Sequence, residues 1–75
     1  MNIYGYSKDA RKKLHELSEV SVQADAKELR RLARFIDHCA SCIEKDSDKV
    51  TWEHEHIIDF FADHVGADVV VVRAK

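Results

Sequence analysis

Between residues 25 and 45 the chain reads DAKELRRLARFIDHCASCIEK, a pattern that suits an α-helix and little else. Leu29, Leu32, Ala33, Ile36, Cys39, Ala40 and Ile43 recur at spacings of three and four, which places them along one helical stripe. Asp25 stands at the N-cap position and Glu28 follows three residues later, the two halves of a capping box. The polar cluster Asp46-Ser47-Asp48 supplies the stop. A helix with one apolar stripe needs something to bury it against, and the remaining segments must provide that partner.

Seventy-five residues allow one domain, residues 1–75, with a small core and a narrow stability margin. Apolar residues make up 45% of the chain and charged residues 35%, with no proline and two glycines, a globular composition. No Gly-rich phosphate cradle is present. The formal charge is −2 and unevenly spread. Residues 1–34 contain eight Lys/Arg and five Asp/Glu, and residues 35–75 contain four and nine. The start, MNIYGYSKD, is unlike a signal peptide, and no apolar run approaches the roughly 20 residues of a membrane span. A cytoplasmic protein with reduced thiols at Cys39 and Cys42 is expected.

Ahead of the helix, Ile3-Tyr4-Gly5-Tyr6 is β-like. Residues 7–15 read as a loop with at most a helical turn. In residues 19–24, EVSVQA, Val20, Val22 and Ala24 alternate with polar neighbours, the pattern of a half-buried strand; Leu17 is out of phase with them. After the helix, residues 50–57 read as a strand and residues 58–66 as an irregular or partly helical passage, with Gly66 placed to follow a helix end. The four valines of residues 68–73, DVVVVR, are apolar on both faces and suggest a central strand. The expectation is an α+β fold in ββαββ order, with a largely antiparallel sheet of about four strands under one main helix. Leu32, Ile36, Ile43, Val20, Val22, Val70 and Val72 are its expected core. A homodimer covering part of the helix is compatible with the same pattern.

The chemistry-bearing residues concentrate at Trp52-Glu53-His54-Glu55-His56. On a strand, His54 and His56 project from one face about 7 Å apart at Cα. That spacing suits two ligands of a zinc ion, with His64 as a third. The plainer reading is a solvated strand face, since a lone His-x-His pair is a weak signal. His38, Cys39 and Cys42 form a second group, but the Cys-x-x-Cys pair lies well inside the helix and not at its N-terminus, where a redox pair belongs. Core packing of Cys39 is the better reading. Lys27, Arg30, Arg31 and Arg34, with Arg11-Lys12-Lys13, make a basic patch without interleaved aromatics, so nucleic-acid binding is not expected. Glu53 and Glu55 are paired carboxylates with no pocket to work in, and no nucleophile–base set assembles. An enzyme is therefore not expected, and no cofactor is implied.

Four blocks give the chain a family likeness: IYGY, the LSEVSVQAD run into ELRRLARFI, WEHEHIIDF, and ADVVVVR. Together they resemble the small bacterial immunity proteins of family 32. The resemblance implies a non-enzymatic protein that binds and neutralises a co-produced toxin, and it transfers no established binding residues. Residues Trp52, Glu53, His54, Glu55 and His56, an aromatic anchor among charges, are the candidate contact surface. The alternative is a small metal-binding module using His54, His56 and His64.

Overall fold

The computed structural model describes residues 1–9, 12–46 and 51–74. Its elements are β1 (Ile3–Gly5), β2 (His15–Leu17), α1 (Ala26–Asp46), β3 (His54–His56), α2 (Ile57–Phe60) and β4 (Val70–Val72). This is an α+β arrangement in which one long helix dominates, and the ββαββ order stands once the single turn α2 is set aside. The four strands do not share a sheet. They form two antiparallel pairs, β1 with β2 and β3 with β4.

The start of α1 follows from its sequence. The Glu28 N–H donates to Asp25 Oδ1 at 2.8 Å, and the Asp25 N–H donates to Glu28 Oε1 at 3.3 Å. Two of the amides that a helix start leaves without partners are satisfied this way. At the other end, the Asp46 carboxylate collects the Thr51 hydroxyl, the Trp52 N–H at 2.8 Å and Arg73 Nη1 at 2.7 Å. A carboxylate opposes the dipole at a helix C-terminus. Here these donors offset the conflict and hold its pKa below the usual carboxylate value, the Thr51 hydroxyl contributing most. The expected stop at Ser47-Asp48 and the expected strand start at Val50 lie outside the described residues, as do Ala10 and Arg11.

The buried centre is Phe35, Cys39 and Ile57, exposed by 0%, 1% and 3%, with Leu32, Trp52, Phe61, Val69 and Val71 packed around it. The helix is therefore rotated relative to the stripe read from sequence. Leu32 and Ile43 are half-buried, while Leu29 and Ile36 are exposed, Ile36 by 50%. Phe35 explains the shift. It carries the largest apolar side chain on the helix and takes the position facing the β3–β4 ribbon, where its ring lies 5.9 Å from that of Phe60. Cys39 belongs to the core, as expected of a small hydrophobe.

Three strand expectations need correction. Residues 19–24 form no strand, and Val20 and Val22 are exposed. The alternation there is sound, but a strand needs a partner ladder. The partner of β1 is instead residues 15–17, in the register Ile3↔Leu17, Tyr4↔Glu16, Gly5↔His15. The strand expected over 50–57 shrinks to β3, because Ile57 opens the helical turn α2. β4 is not a central strand. It pairs with β3 alone, in the register His54↔Val72, Glu55↔Val71, His56↔Val70. Only one face of that ribbon meets α1, so Val71 is half-buried while Val70 and Val72 are exposed, and neither joins the core. Flanking bonds from Ile57 N–H to Val69 O and from Arg73 N–H to Glu53 O, both 2.8 Å, extend the ladder. Gly66 adopts φ +102°, a left-handed turn that only glycine takes freely. It lies in the loop before β4 and does not directly follow a helix end.

Candidate functional site

Strand alternation divides residues 54–56 between two faces. Glu55 and Ile57 point toward α1, and His54 and His56 point away, their ring centroids 5.6 Å apart and edge to face. Directly opposite residues in an antiparallel pair share a face, so Val72 and Val70 stand beside His54 and His56 on the outward side. His56 Nδ1 lies 2.6 Å from Asp68 Oδ2. That hydrogen bond, with the nearby charge of Asp59, raises the pKa of His56. Glu53 and His54 are exposed.

Trp52 sits ahead of the strand and does not follow its alternation. The indole packs against the core, and its Nε1–H donates to Glu55 Oε1 at 3.3 Å. Of the five residues read as a contact surface, His54 and His56 share the outward face of the ribbon, Glu53 is exposed just ahead of the strand, and Trp52 and Glu55 are turned into the fold.

Behind the strand, Glu55 meets α1. His38 and Cys42 are one helical turn apart on the same side of that helix. His38 Nε2 lies 3.0 and 3.1 Å from the two Glu55 carboxylate oxygens and 3.6 Å from Cys42 Sγ. The His38 ring is held flat against Phe60, with centroids 4.4 Å apart. One donor atom from each of His38, Cys42 and Glu55 lies within 4.8 Å of the other two, and all three residues are half-buried. Sequence reading named His38 and Cys42 but grouped Cys42 with Cys39. The i, i+4 spacing of His38 and Cys42 was the usable signal; Glu55, 17 residues beyond His38, had none.

Cys39 takes no part in this chemistry. Burial first, then the charges of Glu55 and Cys42, push its thiol up to about 11, which leaves it protonated and inert. His54, His56 and His64 do not gather into a set. His64 Nε2–H donates to the Ala67 carbonyl at 2.7 Å, and His56 is engaged with Asp68. Among the described residues, the three-residue cluster of convergent metal-type donors is His38, Cys42 and Glu55.

The basic patch is partly used inside the fold. Arg31 pairs with Asp63 at 2.5 Å and lies over the Phe61 ring at 4.1 Å from its centroid, so it is committed to α1 packing. Lys27 and Arg30 remain exposed on the helix. Among the described residues, no helix is long and apolar enough to cross a membrane.

No curated protein and no solved structure matches the chain. The sequence pattern of the family described as immunity protein 32 does match, over residues 19–74. That span takes in α1, β3, α2 and β4 with every residue of the two faces just described, and leaves the β1–β2 hairpin, with its IYGY block, outside. The chain belongs to the immunity protein 32 family.

Proposed function

We propose that this protein binds and neutralises a toxin encoded beside it, without catalysing a reaction, and that the outward face of the β3–β4 ribbon makes the contact. Family membership over residues 19–74 is the observation behind the toxin-binding reading. The choice of surface rests on the composition of that face. His54, His56, Val70 and Val72 form its centre, with Glu53, Asp59 and Asp68 close by. Exposed valines flanked by acidic groups suit a partner that is apolar at the centre of the contact and basic at its rim. Residues 35–75 contain nine acidic and four basic side chains, which favours the same partner charge. A toxin that acts on nucleic acid has a basic surface for phosphates, and an acidic protein covering it excludes the substrate.

Co-expression with the toxin domain of a protein encoded beside it tests the reading. Growth rescue and a complex whose association slows with added salt are expected. Replacing Val72 by Asp together with His54 by Ala should weaken the complex at least about tenfold while α1 packing persists. A chain that neither binds that domain nor restores growth refutes the assignment. Full affinity in the double variant refutes the choice of surface.

A further inference from the structure

We propose that His38, Cys42 and Glu55 form a zinc-binding site joining α1 to β3, with water in the fourth position. This goes beyond toxin binding, and the observations behind it do not depend on that reading.

The first argument is the convergence on one atom. Both Glu55 oxygens and Cys42 Sγ approach the same ring nitrogen, His38 Nε2. A neutral imidazole nitrogen either donates one proton or accepts one. If Nε2 donates to Glu55, it has no lone pair for the thiol; if it accepts from the thiol, it has no proton for the carboxylate. A catalytic relay would set the carboxylate on Nδ1 and the thiol on Nε2. Nε2–H donating to Glu55 leaves the thiol sulfur only a weak share of that proton, whereas three metal-type donors drawn to one point suit ligands around a shared cation.

Distances agree with a particular ion. Tetrahedral zinc holds His nitrogen at about 2.0–2.1 Å and thiolate sulfur at about 2.3 Å, which separates those two atoms by about 3.6 Å. The observed separation of Nε2 and Sγ is 3.6 Å. For nitrogen and carboxylate oxygen the same geometry gives about 3.4 Å, a few tenths wider than the 3.0 Å found. The sulfur and the carboxylate oxygen already lie within 4.8 Å of each other, on side chains with rotatable bonds that can draw them closer. A mixed nitrogen, sulfur and oxygen set disfavours magnesium and calcium, which take oxygen ligands, and suits zinc.

The ligands are also supported from behind, as metal ligands commonly are. The Phe60 ring fixes the His38 plane, and the Trp52 indole donates to Glu55 Oε1. The side chains of His38 and Glu55 keep 33% and 22% of their exposure, enough for an ion and a water to enter. Neither Cys39, buried in the core, nor the outward pair His54 and His56 belongs to the site.

The test uses the untagged full chain, stripped with chelator and reloaded with zinc or with cobalt as a coloured substitute. One ion per chain is expected, with a thiolate-to-cobalt absorption band and a chelator-reversible rise in Tm. Cys42→Ser should abolish the band and lower zinc affinity at least 100-fold. His38→Ala should do the same. Trp52→Phe, which keeps an aromatic side chain and deletes the donor to Glu55, should weaken zinc binding about 10- to 100-fold. The His54→Ala/His56→Ala double variant should bind as the parent does. Cys42→Ser differs from the parent by a single atom, and equal urea midpoints for the two in chelator separate loss of the site from loss of the fold. Failure of the folded parent to bind stoichiometrically overturns the proposal. So does retention of the ion by Cys42→Ser, or its loss from the His54/His56 double variant.

Discussion

The rotation of α1 is tested by two neighbouring substitutions, Phe35→Ala and Ile36→Ala. Phe35 is fully enclosed, against Phe60 and the rest of the core, and truncating a buried phenylalanine costs about 3–5 kcal/mol through lost transfer energy and a residual cavity. A domain of this size has a total stability of about 4–11 kcal/mol, so this one change removes a large share of it. Ile36 is half exposed. Its truncation forfeits only part of a side chain's burial and gains helix propensity, since alanine is the best helix former, and the two effects nearly cancel to within about 1 kcal/mol. Urea unfolding followed by circular dichroism measures both, provided the slope m stays constant across the variants. If Phe35→Ala proves unfolded, Phe35→Leu, with a smaller volume loss, keeps the comparison measurable. A loss at Ile36 equal to or greater than the loss at position 35 would refute the packing, because it would mean that the stripe through Leu29, Ile36 and Ile43 is the buried one after all.

Asp25→Ala should lower stability by about 1 kcal/mol, read as a shift in urea midpoint, because it strips the capping bond from the Glu28 N–H; a neutral outcome would argue against the cap. Gly66→Ala should cost about 1 kcal/mol through its positive φ alone, since nothing lies within 4 Å of the added methyl; Gly66→Asn, tolerated in that region, should cost less. Asp46 has a depressed pKa, so its contribution is present above the ordinary carboxylate value of 3.8 and is lost as pH falls through its lower folded value. Thermal unfolding from neutral to strongly acid pH should show that loss, and Asp46→Asn should flatten the acid slope; an unchanged slope would place the acid sensitivity elsewhere.

How much was legible depends on whether the signal was local. The capping box at Asp25 and Glu28 predicted the helix start to within a residue, because both partners lie three positions apart on the same turn. Helix phase was harder. Leu29, Ile36 and Ala40 extend the stripe of Leu32 and Cys39 on one side as well as Phe35 and Cys42 extend it on the other until something is packed against them, and the β3–β4 ribbon that decides the matter begins eight residues past the helix. Strand pairing is likewise nonlocal. Val20 and Val22 alternate like a strand, yet β1 pairs with residues 15–17 and β4 with residues 54–56. For the candidate surface, residues 52–56 were read from the sequence as a unit, and the structure divides them. Trp52 and His54 share a face only if the strand begins at 52, and it begins at 54.

The short strand β3 presents different groups on its two opposite sides. Its alternation sends Glu55 inward to His38 and Cys42 and sends His54 and His56 outward beside Val72 and Val70. A three-residue strand in a two-stranded ribbon is a weak platform by itself. Its outward face can recognise a partner only if the ribbon is fixed to α1. The contacts that fix it are the Phe35–Ile57 core, the Asp46–Arg73 pair and the Glu55–His38 contact. An ion bound at His38, Cys42 and Glu55 would tighten the last of these and preorganise the outer face without touching the partner. Preorganisation lowers the ordering cost of association and leaves the contacts themselves unchanged. The two proposals then have separable signatures. Loss of the ion through Cys42→Ser should weaken toxin binding modestly and by the same factor for the parent outer face and for a Val72→Asp variant, because effects that share no partner add. A Cys42→Ser effect that vanishes in the Val72→Asp background would instead mean that the ion site and the outer face act through one shared contact.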